Sequence, residues 1–431
     1  MLKKTLLLIS GSLLLPSNAF ADAGIVDSGD TAWIIMSTIL VMIMTPGLAF
    51  FYSGMVRKKN AVSTIMHSYM KLCVISIVWV LWGYSIAFGE SFNGIFGGLN
   101  FLGFKNVGQD ALEGMTIPHM LFASFQGMFA VITAAIITGS FAERVKLGPI
   151  LLFSTIWVSV VYAPVAHWVW GGGWISTVFE PLDFAGGAVV HINSAVAGLV
   201  AALYLGKRVS HDGELQAHNI PLTVLGASLL WFGWFGFNAG SALTSGGLAS
   251  LALVNTNIAA AAGGVGWFLI ELMKRKRVTA IGIISGSVAG LVSITPAAGY
   301  VEPVSAIVIG LVGGSVCYWA VMYLKPKLGY DDSLDAFGIH GIGGLWGAIA
   351  TGIFATLSVN PDGDNGLLYG NPDLLFSQIA SSMIIIVYSA IMTLLILRII
   401  RSFMSIRVSE EDELQGLDQA LHGEEGYDFD K

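Results

Sequence analysis

Two histidines lie inside long apolar runs, His191 in DFAGGAVVHINSAVAG and His340 in DAFGIHGIGGLWG. An ionisable side chain at membrane depth costs about 3 kcal/mol or more, so each is a functional candidate whose partner must be found. A neutral imidazole both donates and accepts a hydrogen bond, so two facing rings can share a hydrogen and line a path for a small polar solute. The competing reading is a structural histidine packing one helix on another; the pairing of the two favours function. An acid precedes each histidine, Asp183 by eight residues and Asp335 by five. Asp183 has two readings, a carboxylate that attracts a cation and a cap on a helix N-terminus, and one side chain can serve both.

Aromatic residues form a second constellation: Phe125 and Phe129 in FQGMF, Trp170 in HWVWGGG, Trp234 and Phe237 in GWFGFNAGS. Aromatic faces attract cations by about 0.5 to 2 kcal/mol, which suits a small cation held without a deep charged trap. The interfacial aromatic belt fits any single Trp or Phe here, and on composition alone it is the better reading. Ser241, next to Gly240, offers an oxygen at the same mouth, or simple helix packing. The remaining histidines (His67, His119, His167, His211, His218 and His422) fall near span ends, in a loop or in the tail, and no metal-ligand spacing appears. No nucleophile elbow, phosphate loop or paired carboxylates with a nucleophile occur, so the sequence points away from an enzyme and calls for no cofactor or metal.

The elements that must position these residues are membrane helices. The chain has 431 residues, of which 55% are hydrophobic and 11% charged, and its mean hydropathy is +0.74; a soluble domain carries about 25% charged residues. Residues 1–21 read as a signal peptide, with Lys3 and Lys4, an apolar run too short to span, a break at Pro16 and Ala19-Phe20-Ala21 as cleavage site. Without Lys3 and Lys4 the formal charge falls from −7 to −9, and the nine acids and one base of residues 408–431 supply −8 of it. The body between is nearly neutral, which excludes a nucleic-acid partner. Cys73 and Cys317 both sit in apolar runs, so no disulfide framework is expected.

Eleven apolar segments follow, from 33–54 and 68–89 to 376–400, with His191 in the fifth (187–206), His340 in the tenth (338–357) and a short eighth at 278–296. Sixteen Lys and Arg residues fall in loops on one side and one, Lys105, on the other. The positive-inside bias therefore predicts an N-terminus outside and a C-terminus inside. The expected architecture is all-α: an inverted repeat of five plus five helices, with one helix added, so that the two acids approach opposite faces while the histidines converge at mid-depth. The expected divisions are the signal peptide, an eleven-helix domain at 22–407 and an acidic cytoplasmic tail at 408–431.

The run Asp183 to Asn193 resembles the signature of the ammonium transporter family (Amt/Mep/Rh). FQGMF, AHWVWGGG, GWFGFNAGS, FGIHGIGG and the tail RVSEEDELQGLDQALHGEEGY resemble its other motifs in the same order. The pattern is most similar to the bacterial Amt proteins. The resemblance implies a homotrimer in the inner membrane of a bacterium, each protomer with its own pore for ammonium or ammonia. It implies that Trp170, Phe129 and Ser241 form an outer ammonium site, that Phe125 and Phe237 are stacked rings closing the pore, and that His191 and His340 are twin pore histidines. Trp234 would line the pore, and Asp183 would recruit and deprotonate ammonium. The tail would be regulatory, with a PII-type signalling protein (GlnK) as partner. Two other functions stay open at this point: a sensor that binds ammonium without flux, and a gas channel that conducts without current.

Overall fold

In lipid every backbone N–H and C=O must be satisfied internally, so long apolar runs fold as helices. The computed structural model describes residues 25–209 and 217–427; the expected signal peptide and His211 lie outside the described residues. Among the described residues ten helices are long and apolar enough to cross a membrane: α1 (Ser28–Met55), α2 (Lys58–Phe88), α3 (His119–Ser140), α4 (Leu147–Val178), α5 (Gly187–Leu205), α6 (Ile220–Gly240), α7 (Gly247–Arg275), α9 (Pro303–Leu328), α10 (Phe337–Phe354) and α11 (Pro372–Arg401). The shorter apolar helix α8 (Ala280–Ile294) occupies the eighth expected segment. The protein is thus a helical membrane protein with about ten candidate spans.

The second helix starts ten residues earlier than the hydropathy boundary at 68. Its first turns carry Ser63, Thr64, His67 and Ser68, all buried against neighbouring helices, and a polar face turned inward looks like a loop to a hydropathy scan. α4 is interrupted after Val169, where Gly171, Gly172 and Gly173 lead into a last short turn. Between α2 and α3 lies a small hairpin, Ser91–Phe92 paired with Phe96–Gly97. The face carrying this hairpin and the Asp183 loop is the one predicted to be outside and is called the outer face below.

α1 packs along α6, and α7 packs against both α8 and α9. Among the described residues five of these helices contain π-turns, which admit one extra residue per turn and often mark functional positions. Four of the five form two matching pairs: Val158–Tyr162 in α4 with Ala320–Leu324 in α9, and Gly187–Ile192 in α5 with Phe337–Gly341 in α10. The fourth and ninth helices, and the fifth and tenth, thus share one irregularity each. A further π-turn, Trp79–Gly83 in α2, has no such turn opposite it in α7.

At the inner face five charged side chains converge. Arg208 reaches Glu143 at 2.6 Å and Asp331 at 2.6 Å, Arg144 reaches Asp331 at 3.4 Å, and Arg57 reaches Glu143 at 2.8 Å. Burial alone would raise the Asp331 carboxyl, but Arg208 and Arg144 outweigh it and hold it well below the usual carboxylate range. Glu143 is likewise held low by Arg208 and Arg57 against the effect of burial.

Candidate functional site

His191 and His340 each sit in a π-turn, and the two turns meet where α5 crosses α10. The crossing is tight: a Cβ added to Gly344 would lie 3.0 Å from the Gly187 carbonyl oxygen and 3.2 Å from the His191 Cβ. The imidazoles face each other with Nδ1 to Nδ1 at 3.2 Å and ring centroids 5.2 Å apart. Two neutral rings in this geometry share one hydrogen between their Nδ1 atoms, which turns an Nε2 of the accepting ring into a donor. His191 Nε2 has no hydrogen-bond partner among the described residues. The convergence expected from the sequence is therefore present, and it leaves a polar atom free to meet a solute.

His191 also stacks on Trp234 at 5.3 Å and on Phe237 at 5.9 Å. Trp234 is fixed by its indole N–H, which donates to Thr295 Oγ1 at 2.9 Å. The histidines, Trp234, Phe237, Ile132 and Leu230 enclose a chamber of about 10 Å³. That is room for about one water-sized molecule. A solute here meets imidazole edges and hydrocarbon, and no carboxylate lines the chamber.

Above it lies an outer vestibule of about 390 Å³, lined by Trp170, Phe129, Ser241 and Asp183 among others. Phe129 meets the Trp170 ring edge-on at 6.2 Å, and Ser241 Oγ donates to the Phe237 carbonyl oxygen at 2.8 Å. One expectation is corrected. The sequence reading stacked Phe125 on Phe237, whereas the stacked pair is Phe129 and Phe237, with centroids 4.3 Å apart and planes 28° from parallel. Phe125 instead meets Phe129 edge-on at 4.9 Å. Phe125 and Phe129 are four residues apart and share a helix face, so spacing admits either partner; one turn of depth along α3 decides.

Asp183 is a cap, the second of its two readings. Its Oδ1 accepts from the N–H groups of Gly186 (3.0 Å) and Gly187 (2.6 Å), its Oδ2 from those of Ala188 (2.9 Å) and Val189 (3.1 Å). All four N–H groups at the start of a helix are normally orphaned, and one carboxylate satisfies them here. Gly186 makes this possible by adopting φ +114°, a conformation closed to a side chain. The Asp183 carbonyl oxygen in turn accepts from the Trp170 indole N–H at 2.9 Å, so the acid loop also sets the aromatic wall.

The inner counterpart of Asp183 is Asp332, which corrects the earlier choice of Asp335. Asp332 precedes His340 by eight residues, as Asp183 precedes His191, and its Oδ2 accepts from the Phe337 N–H at 2.8 Å. That contact reaches five residues on, as does the one from Asp183 to Ala188. Asp335 has φ +59° and pairs with Lys325 at 2.5 Å. The equal spacing of eight was visible in the sequence. Among the described residues no group of three or more His, Cys, Asp or Glu is arranged to hold a metal ion.

Comparison with known proteins finds close likenesses over nearly the whole described chain. The model of the Ammonium Transporter Family matches residues 32–427. The chain is 55% identical to the ammonium transporter of Bacillus subtilis over 401 residues, covering 93% of this chain and 98% of that one. The crystal structure of Saccharomyces cerevisiae Mep2 superposes with a TM-score of 0.83 at 38% identity, covering 89% of this chain and 91% of that one. A structure titled Sensor Amt Protein gives 0.85 at 31% identity, covering 91% and 98%.

Proposed function

From the premise that the chain belongs to the ammonium transporter family, we propose that it draws ammonium to the outer vestibule, strips one proton from it and conducts ammonia past the twin histidines. The observation that carries this reading is the chamber beside His191 and His340, with room for one small molecule and no countercharge. Bringing a bare cation into such a space costs many kcal/mol, whereas a neutral hydrogen-bonding molecule enters far more cheaply. Trp170, Phe129 and Ser241 hold the cation at the mouth, and the stacked pair Phe129 and Phe237 forms the gate below. Asp183 orders the mouth and supplies a negative field there, its oxygens being engaged with N–H groups. Deprotonation, NH4⁺ giving NH3 and H⁺, also supplies selectivity, because potassium has no proton to lose; a proton that follows by a separate water and histidine relay makes the cycle electrogenic, and one released to the outer solution makes it electroneutral.

The matched π-turns and acids support an inverted repeat of α1–α5 and α6–α10 with α11 added, hence eleven spans, an outer N-terminus and an inner C-terminus. We also propose a homotrimer in a bacterial inner membrane. The tail 408–431 is the regulatory element of this reading and the docking place of a PII-type protein. Its described part lies on the body: Asp418 accepts from the Val62 and Ser63 N–H groups at 3.0 and 2.7 Å, and Glu413 from that of Val209 at 2.6 Å. A second reading, ammonium sensing, is favoured by the likeness to the Sensor Amt Protein.

The test is the charge displaced by an ammonium pulse on liposomes holding the purified protein. A sustained current supports electrogenic ammonium transport. Ammonia flux without current supports a gas channel, and binding with neither supports a sensor.

A further inference from the structure

Helix α11 stands outside the two matched sets of helices, yet it grips α5 and its lead-in at both ends of the segment that carries the chemistry. Near its outer end Gln378, 2% exposed, makes a two-point contact with one residue. Its Oε1 accepts from the Leu182 N–H at 2.8 Å, and its Nε2 donates to the Leu182 carbonyl oxygen at 2.8 Å. The same Nε2 donates to the Ala348 carbonyl oxygen at 3.2 Å, on the helix of His340. Eleven residues further along α11, Ser389 Oγ donates to the Asn193 carbonyl oxygen at 2.9 Å. Leu182 and Asn193 are also eleven residues apart, and between them lie Asp183 and His191.

The two-point contact matters because the residues around Leu182 are not helical and have no backbone ladder of their own. The α5 helix starts only at Gly187; the Phe184 N–H donates to the Pro296 carbonyl oxygen at 3.2 Å, and Leu182 itself is held by Gln378. Buried peptide groups need partners, and an unmade hydrogen bond there costs about 1 to 3 kcal/mol. A rotation at Leu182 would carry Asp183 with it, and Asp183 holds both the first turn of α5 and, through its carbonyl oxygen, the Trp170 indole. Ser381 adds a second sign that this corner is built around polar groups: its Oγ, without a protein partner, belongs to the lining of a void of about 10 Å³ that Asp183 and Gln378 also line.

We infer that Gln378 is the positioning residue of the outer site: it sets the register between the Asp183 loop and the His340 helix, and thereby the alignment of the aromatic mouth over the twin-histidine chamber. This deepens the transport reading and rests on it. Gln378 touches no solute; it acts through Leu182, Asp183 and Trp170 on one side and through Ala348 on the other. An apolar side chain of similar volume would fill the space and leave the Leu182 N–H, the Leu182 carbonyl and the Ala348 carbonyl without their partner.

The experiment uses the full-length protein in liposomes, with ammonium pulses and methylammonium uptake as probes. For Gln378→Leu the expected result is an apparent KM raised about tenfold, the equivalent of one lost buried hydrogen bond, with the maximal rate reduced less. Gln378→Glu provides a signature that loss of packing would not give. An ionised glutamate accepts from the Leu182 N–H but cannot donate to either carbonyl, whereas the protonated acid can do both. Its transport, divided by that of the wild type at the same pH, should therefore climb as pH falls from about 8 to about 5, the range in which a buried carboxyl takes up its proton. Wild-type KM in Gln378→Leu, or a flat ratio in Gln378→Glu, would overturn the inference. Absence of ammonium-dependent transport in the wild type would instead overturn the reading beneath it.

Discussion

The two acid-to-histidine segments share one design and differ in how their charge is answered. At the outer end Asp183 makes four N–H bonds, and residues 171–186 contain no Lys or Arg. At the inner end Asp332 accepts one such bond, from the Phe337 N–H, while Asp331 and Asp335 are met by Arg144, Arg208 and Lys325. Burial pushes the Asp332 carboxyl above the usual range, against the pull of Lys325. Burial pushes the Asp183 carboxyl upward too, against its four N–H bonds, so the two ends differ in what answers the acid: backbone dipoles alone at the outer end, and Arg and Lys side chains around Asp331 and Asp335 at the inner end. On the proposed reading this difference favours cation entry at the outer mouth, although both ends lead to the same pair of histidines.

Asp183→Ala should show the largest effect. It removes the acceptor of four buried N–H groups, at about 1 to 3 kcal/mol for each left unsatisfied, and should abolish transport and lower the melting temperature in detergent. Asp332→Ala removes the acceptor of the Phe337 N–H and should cost correspondingly less on both measures. Equal losses would break the comparison between the two ends.

The gate comes next. Phe129→Ala takes away the ring stacked on Phe237 and a wall of the vestibule, and should raise leak of water-sized solutes, read by stopped-flow swelling of liposomes. Phe125→Ala removes an edge-on neighbour of Phe129 and should change leak less. The reverse order would restore the pairing first expected from the sequence.

The smallest effect concerns pH at the inner face. Because the Asp331 carboxyl is held below its unfolded value, the Asp331 contribution is fully present above about pH 4 and is lost as pH falls through the folded value. Melting temperature should hold from about pH 7 to about pH 5 and decline below about pH 4, and Asp331→Asn should flatten that decline. A decline of equal depth in the variant would show that the inner ion pairs do not set acid stability.

Much of this was legible in the chain. Length and hydropathy locate the helices because lipid leaves the backbone no alternative, and an ionisable residue in an apolar run stands out, as His191 and His340 do. What escaped is what depth and contact decide. Phe125 and Phe129 occupy one face, so no spacing rule selects the ring that stacks on Phe237. Asp335, nearer to His340, drew notice away from Asp332, although the spacing of eight was repeated. Counting Lys and Arg in loops passed over Lys71, which is buried inside α2 and donates to the Ala134 carbonyl oxygen at 2.8 Å. Gln378 gave no signal at all, because a single amide in an apolar run is unremarkable until its partners are known.

The most direct measurement is the current driven by ammonium and by potassium pulses in liposomes containing either the wild type or the His191→Ala/His340→Ala double variant. If the twin histidines pass ammonia while its proton crosses separately, and bar bare cations, the wild type gives a current with ammonium only and the double variant gains a potassium current. A double variant with the wild-type ammonium current and no response to potassium would contradict that claim.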